Sequence, residues 1–142
     1  MSEPVPEQGR AILRFGWAAD VVFGLTAIPA AIVGGDALDA LAIGVSLVLF
    51  FIACGVFLYA FGVGIARTTR GDNVAVANLF FLQGSAPRRV KQQFLWMFLV
   101  CLAIAAATVV AEPFSVLVPM LPPGLAGMWA ARHGQFPPRP RR

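Results

Sequence analysis

Asp20 is the acid that interrupts an otherwise apolar run, so its carboxyl is the first group in this chain to weigh as chemistry. An acid inside an apolar segment is costly, and such residues mark proton or ion pathways or are paired structurally. Its position predicts pairing. Asp20 lies about five residues past residue 15, or roughly 7 to 8 Å along a helix rising 1.5 Å per residue. There it can meet water or an Arg of the central polar loop. The single histidine, His133, follows the last apolar run, whereas a haem bundle needs axial ligands within its helices. Cys54 and Cys101 sit alone in different apolar runs without a CxxC, and read as small apolar core residues. No Ser/His/Asp arrangement, glycine-rich phosphate loop or metal-ligand spacing is present, so no catalytic, cofactor-binding or metal residue is assigned. An enzyme is not expected.

A second cluster lies in the central loop. Residues 73–82 read NVAVANLFFL, too short to span a bilayer and too apolar for open water. Leu79, Phe80, Phe81 and Leu82 either dip toward acyl chains from the headgroup plane or dock on the protein. Arg88, Arg89 and Lys91 follow at the level of anionic headgroups, each worth about 1 kcal/mol near such a surface. These seven residues are the expected partner or lipid contacts. Ser85 is the expected N-cap of the next helix, with Pro87 in its first turn. The tail 136–142, FPPRPRR, is extended by its prolines and cationic, which suits the anionic inner leaflet better than an aromatic peptide-binding groove.

The elements that must hold these residues are membrane spans. Hydrophobic residues make up 58% of the 142 and charged residues 13%, with a mean hydropathy of +0.77; a soluble domain carries about 25% charge. The net charge of +4 does not point to nucleic acid, because the bases form no stripe interleaved with stacking aromatics. They mark membrane faces. Arg10 and Arg14 precede the first apolar run; Arg67, Arg70, Arg88, Arg89 and Lys91 share the central loop; Arg132, Arg139, Arg141 and Arg142 follow the last run. Asp36, Asp39 and Glu112 occupy the two remaining connections.

A span needs roughly 20 mostly apolar residues. Spans are predicted over 15–35, 41–66, 93–111 and 114–131, with a loop at 67–92 and a tail at 132–142, as a single membrane domain of residues 1–142. The rival for the first run is a cleavable signal peptide, whose shorter core of about 7 to 15 residues ends in a small-residue cleavage site. Pro119, Pro122 and Pro123 break the ladder of the fourth span, which is tolerated where protein satisfies the freed carbonyls. A kinked or half-broken helix packed on protein is expected there, with a re-entrant loop as the alternative. Basic loops resist translocation, so both termini are expected in the cytoplasm. The fold class is therefore all-α: an integral four-helix bundle of the inner (cell) membrane. Small residues should line its interior: Ala27, Ala31 and Gly35 on the first helix, Gly62 and Ala66 on the second, and Ala103, Ala107 and Ala111 on the third.

Two resemblances follow from particular residues. Four helices with an acid in the first resemble the small multidrug resistance transporters, although those usually carry Glu there and have weakly biased loops. LFFLQGSAPRR at 79–89 and GLAGMWAARHGQFPPR at 124–139 together resemble small multi-pass membrane proteins of high-GC Gram-positive bacteria with no assigned activity. That resemblance, over most of residues 72–139, implies location and topology only.

A transporter or enzyme needs several polar groups converging at depth. Asp20, Thr26, Ser46, Tyr59 and Thr108 are nearly the whole supply in the spans. The expected role is a non-catalytic accessory, scaffold or assembly partner of a larger membrane complex, with other membrane proteins or its own copies as partners. The alternative is a small proton-coupled transporter or channel using Asp20.

Overall fold

A computed structural model describes residue 7 and residues 9–139; Arg141 and Arg142 of the basic tail lie outside the described residues. Five α-helices follow one another: α1 (Arg10–Val33), α2 (Asp36–Thr69), α3 (Val76–Phe80), α4 (Arg88–Thr108) and α5 (Leu121–His133), with a 3₁₀ segment, Pro113–Met120, leading into α5. Four helical runs are long and apolar enough to cross a membrane, the last being Pro113–His133 taken together. The chain is an all-α four-helix membrane bundle, with the short α3 outside the four runs.

The fourth run shows how its prolines are accommodated. Pro122 and Pro123 occupy the first turn of α5, where a missing N–H leaves no bond unmade. Pro119 falls inside the tighter 3₁₀ segment. Most of the run is buried, more so than any other, which fits the expected broken helix packed on protein. Among the helices, α5 packs most heavily on α2. The approach is close because Gly124 faces Phe57, and Gly127 faces Phe80 and Ala60.

The buried faces follow helical periodicity. On α1 they include Ile12, Leu13, Gly16, Phe23 and Ala27. On α4 they are Val90, Phe94, Met97, Cys101, Ala105 and Thr108. On α2 they are Ala42, Ser46, Leu49, Ala53, Ala60 and Gly64. The small-residue stripes predicted for these interfaces are corrected on two helices. Ala103, Ala107 and Ala111 face outward, as do Gly62 and Ala66. Only Ala27 of the first stripe is buried; Ala31 is half-buried and Gly35 exposed.

At the end of the bundle carrying the basic residues, the central loop docks on the protein. Leu79 and Leu82 are buried, and Phe80 stacks on Phe57 at 4.8 Å between ring centroids. Phe81 points outward, 63% exposed. The alternation rests on Leu82, whose φ of 54° lies in a region costly for a residue with a Cβ. Ser85 is not the helix cap. Its hydroxyl donates to the Asn78 carbonyl inside the loop, and Pro87 immediately precedes α4. The tail is also strapped down. Gln135 N–H donates to Ser85 O, Asn73 N–H to Pro137 O and Arg139 N–H to Gly71 O, at 3.0, 2.9 and 2.8 Å.

Candidate functional site

Three polar centres lie at three levels of the bundle. The deepest is Asp20. Because α1 begins at Arg10, well before the apolar run, Asp20 stands ten residues into the helix, about 15 Å along it. The helix starts five residues before the apolar run, so Asp20 stands further into the helix than into the apolar stretch, where it remains about five residues past residue 15. Ile12 and Leu13 are buried beside exposed Arg14, so an amphipathic first turn extends the helix beyond its apolar stretch. Asp20 is 4% exposed and lies against the Cys101 side chain of α4, while its Oδ2 has no partner among the described residues. The expected ion pair with a loop arginine is not formed: Arg67 bonds Asp72 instead, Nε to Oδ2 at 2.8 Å. Beside Asp20, an open groove of about 400 Å³ runs between α1 and α4, with Trp17, Gly24, Ile28 and Ile104 on its walls.

The second centre lies in the short acidic connection after α4. Glu112 is 2% exposed and sits between Thr108 and the 3₁₀ segment. Its Oε2 accepts a hydrogen bond from Ser46 of α2 at 3.1 Å, while Oε1 is buried without a partner. Thr108 and Ser115, also buried, donate to the carbonyls of Ile104 and Ala105 at 2.9 and 3.3 Å. Burial pushes the Glu112 carboxyl above the usual carboxylate range, and the Ser46 bond opposes that only in part. The folded protein thus holds this proton more tightly than the unfolded chain. Its contribution to stability is full below the unfolded pKa and is lost as pH rises through the raised folded value.

The third centre is the basic end. Arg67, in the last turn of α2, donates to Asp72 and through Nη1 to the carbonyls of Ala131 and Gly134, at 3.3 and 3.1 Å. The same guanidinium lies 4.5 Å from the centroid of the Phe136 ring. One side chain therefore joins α2, the loop, the end of α5 and the tail. Trp129 is buried, its Nε1 has no partner among the described residues, and its ring lies 5.7 Å from that of His133. His133 stays at the bundle end, beside Arg132, as its position after the last run predicted.

Of the seven loop residues singled out by sequence, Leu79, Phe80 and Leu82 serve the bundle. Phe81, Arg88, Arg89 and Lys91 remain on the surface. Cys54 is half-buried and Cys101 buried; both are free thiols. Among the described residues, no three His, Cys, Asp or Glu come together. Asp20 and Glu112 do not converge either. Cys101, the neighbour of Asp20, and Thr108 are about 10 Å apart along α4, and Glu112 lies beyond Thr108. No family model matches the chain, and neither a curated protein nor a solved structure matches it.

Proposed function

We propose that this multi-pass membrane protein is a non-catalytic accessory, scaffold or assembly subunit of a larger membrane complex, resident in the cell membrane. The observation that supports the reading is the outward face of α4. Ala103 and Ala107 lie one turn apart on it, exposed, and Ala111 is exposed in the turn that follows. On α2, Gly55 and Gly62 are also exposed, and a Cβ built on either meets nothing within 4 Å. Lipid tails solvate a Leu as well as an Ala, so small residues outside a bundle bring no advantage against lipid. They let the backbone of another helix come close, which is how helices associate where no hydrophobic drive exists.

Changing Ala103 and Ala107 together to Leu is expected to leave insertion and melting temperature unchanged, because neither side chain packs inside the bundle. Co-purification in mild detergent, whether of other membrane proteins or of tagged copies of the chain, is expected to fall at least tenfold. An unaltered set of partners would count against the accessory role.

The orientation that follows from the basic blocks places both termini in the cytoplasm. Reporter fusions after Arg70 and at the C-terminus are expected to read cytoplasm, and one after Asp36 to read the exterior. An externally active C-terminal fusion contradicts this topology.

Asp20 favours a second reading, a small proton-coupled transporter. Its unpartnered oxygen at mid-helix beside an open groove is the arrangement a titrating carrier group needs. A pH-dependent flux in reconstituted vesicles, lost in Asp20→Asn, would replace the accessory reading with this one.

A further inference from the structure

The basic end carries a groove that neither the packing of the bundle nor the outward small-residue face uses. It holds about 250 Å³ and is walled by α4, α5 and the docked loop. Phe94 and Phe98 form the α4 side, Pro123 and Ala126 the α5 side, and Phe81 the rim, while Gln83 and Lys91 are the polar residues of its lining. We propose that this groove binds one acyl chain of an anionic phospholipid, with Lys91 at the mouth taking the headgroup phosphate.

The depth fits that occupant. Lys91 lies in the first turn of α4 and Phe98 two turns further, so the groove descends about 10 Å from the level of the basic loop into the span. Pro123 lies at the start of α5, which runs back from the interior toward the basic end, so both walls descend together. A spanning helix is about 10 Å across with its side chains and does not enter so narrow a space. An acyl chain from the same leaflet does, with its phosphate left at the height of Lys91.

The charges complete the match. Arg88, three residues before Lys91 and so on the same side of α4, is exposed, and an anion at the mouth meets this second cation nearby. Gln83 places an amide beside the same opening and can donate to a phosphate oxygen. The walls are held rather than mobile: Phe80 stacks on Phe57 behind the rim, and the buried Leu82 turns Phe81 outward to form it. The site does not depend on the accessory role, since a solitary bundle would carry it equally.

The test uses the purified full chain, stripped of lipid in detergent, with native mass spectrometry against dioleoyl phosphatidylglycerol and dioleoyl phosphatidylcholine. The two lipids share their chains and differ in headgroup charge. The wild type is expected to prefer phosphatidylglycerol. Lys91→Gln is expected to weaken that lipid roughly fivefold, the effect of one cation near a charged membrane surface, and to leave phosphatidylcholine unchanged. Leu95→Trp, at a half-exposed position on the groove wall, is expected to reduce both lipids while the melting temperature holds. Glycerol phosphate without chains is expected not to compete, which separates a lipid site from a free phosphate site. Equal binding of the two lipids by wild type, or no change in either variant, overturns the proposal. So does an equal loss in Arg70→Gln, an exposed cation of the same end outside the groove lining, because attraction would then be diffuse.

Discussion

Arg67→Met is expected to lower stability by about 3 kcal/mol and to free the tail, because a partly buried guanidinium with several acceptors is removed and those acceptors are left unpaired. Asp72 loses its only ion-pair partner among the described residues, the carbonyls of Ala131 and Gly134 lose a donor, and the Phe136 ring loses the cation over its face. The Met side chain keeps most of the apolar stem, so the loss reports the head group and not the packing. Arg67→Lys is expected to recover little of it. An ammonium cannot reach a carboxylate, two carbonyls and a ring face at once, as the planar fork does. Thermal unfolding in detergent measures the first effect, and protease cleavage within residues 134–139 measures the second. A melting temperature and a cleavage rate both equal to wild type would show that the strap holds without Arg67.

The second large effect is a gain. Asp20→Asn is expected to raise stability by roughly 1 to 3 kcal/mol, since an acid within a span is penalised by up to about 3 kcal/mol and the amide keeps its shape without the charge. No cation loses a partner in the change, because no ion pair among the described residues includes Asp20. Partner co-purification should be unaffected. If Asp20→Asn were destabilised instead, the residue would be a structural anchor with a partner beyond Cys101. A stability gain accompanied by loss of flux would mark strain kept for function, and the transporter reading would then stand.

How far these centres could be foreseen depends on what lipid hides. Soluble helices betray their buried side because water demands polar residues on the other. In a span both faces are apolar, so the pattern that separates inside from outside is largely erased. Ala27, Ala103, Ala107, Gly62 and Ala66 look alike in sequence, yet only Ala27 lies inside the bundle. Their sides were set by which elements pack together: α5 against α2, with close approaches at Gly124 and Gly127, and α1 against α2 and α4. The start of α1 at Arg10 was hidden for a related reason: apolar composition marks where a helix enters lipid, not where its hydrogen-bond ladder begins.

The number of apolar runs, the segregation of basic from acidic connections and the break at Pro119–Pro123 were determined by sequence alone. Each is dictated by bilayer thickness, by the cost of moving charge across it or by a missing N–H, and none needs a neighbour. Tertiary structure alone decided that Glu112 is buried on Ser46, that Arg67 ties four segments together and that Leu82 turns Phe81 outward. Ser46 and Glu112 are 66 residues apart, and Arg67 reaches 67 residues along the chain to Gly134. Contacts over such separations depend on which helices end up side by side, and in a bilayer that choice rests on shape rather than on polarity.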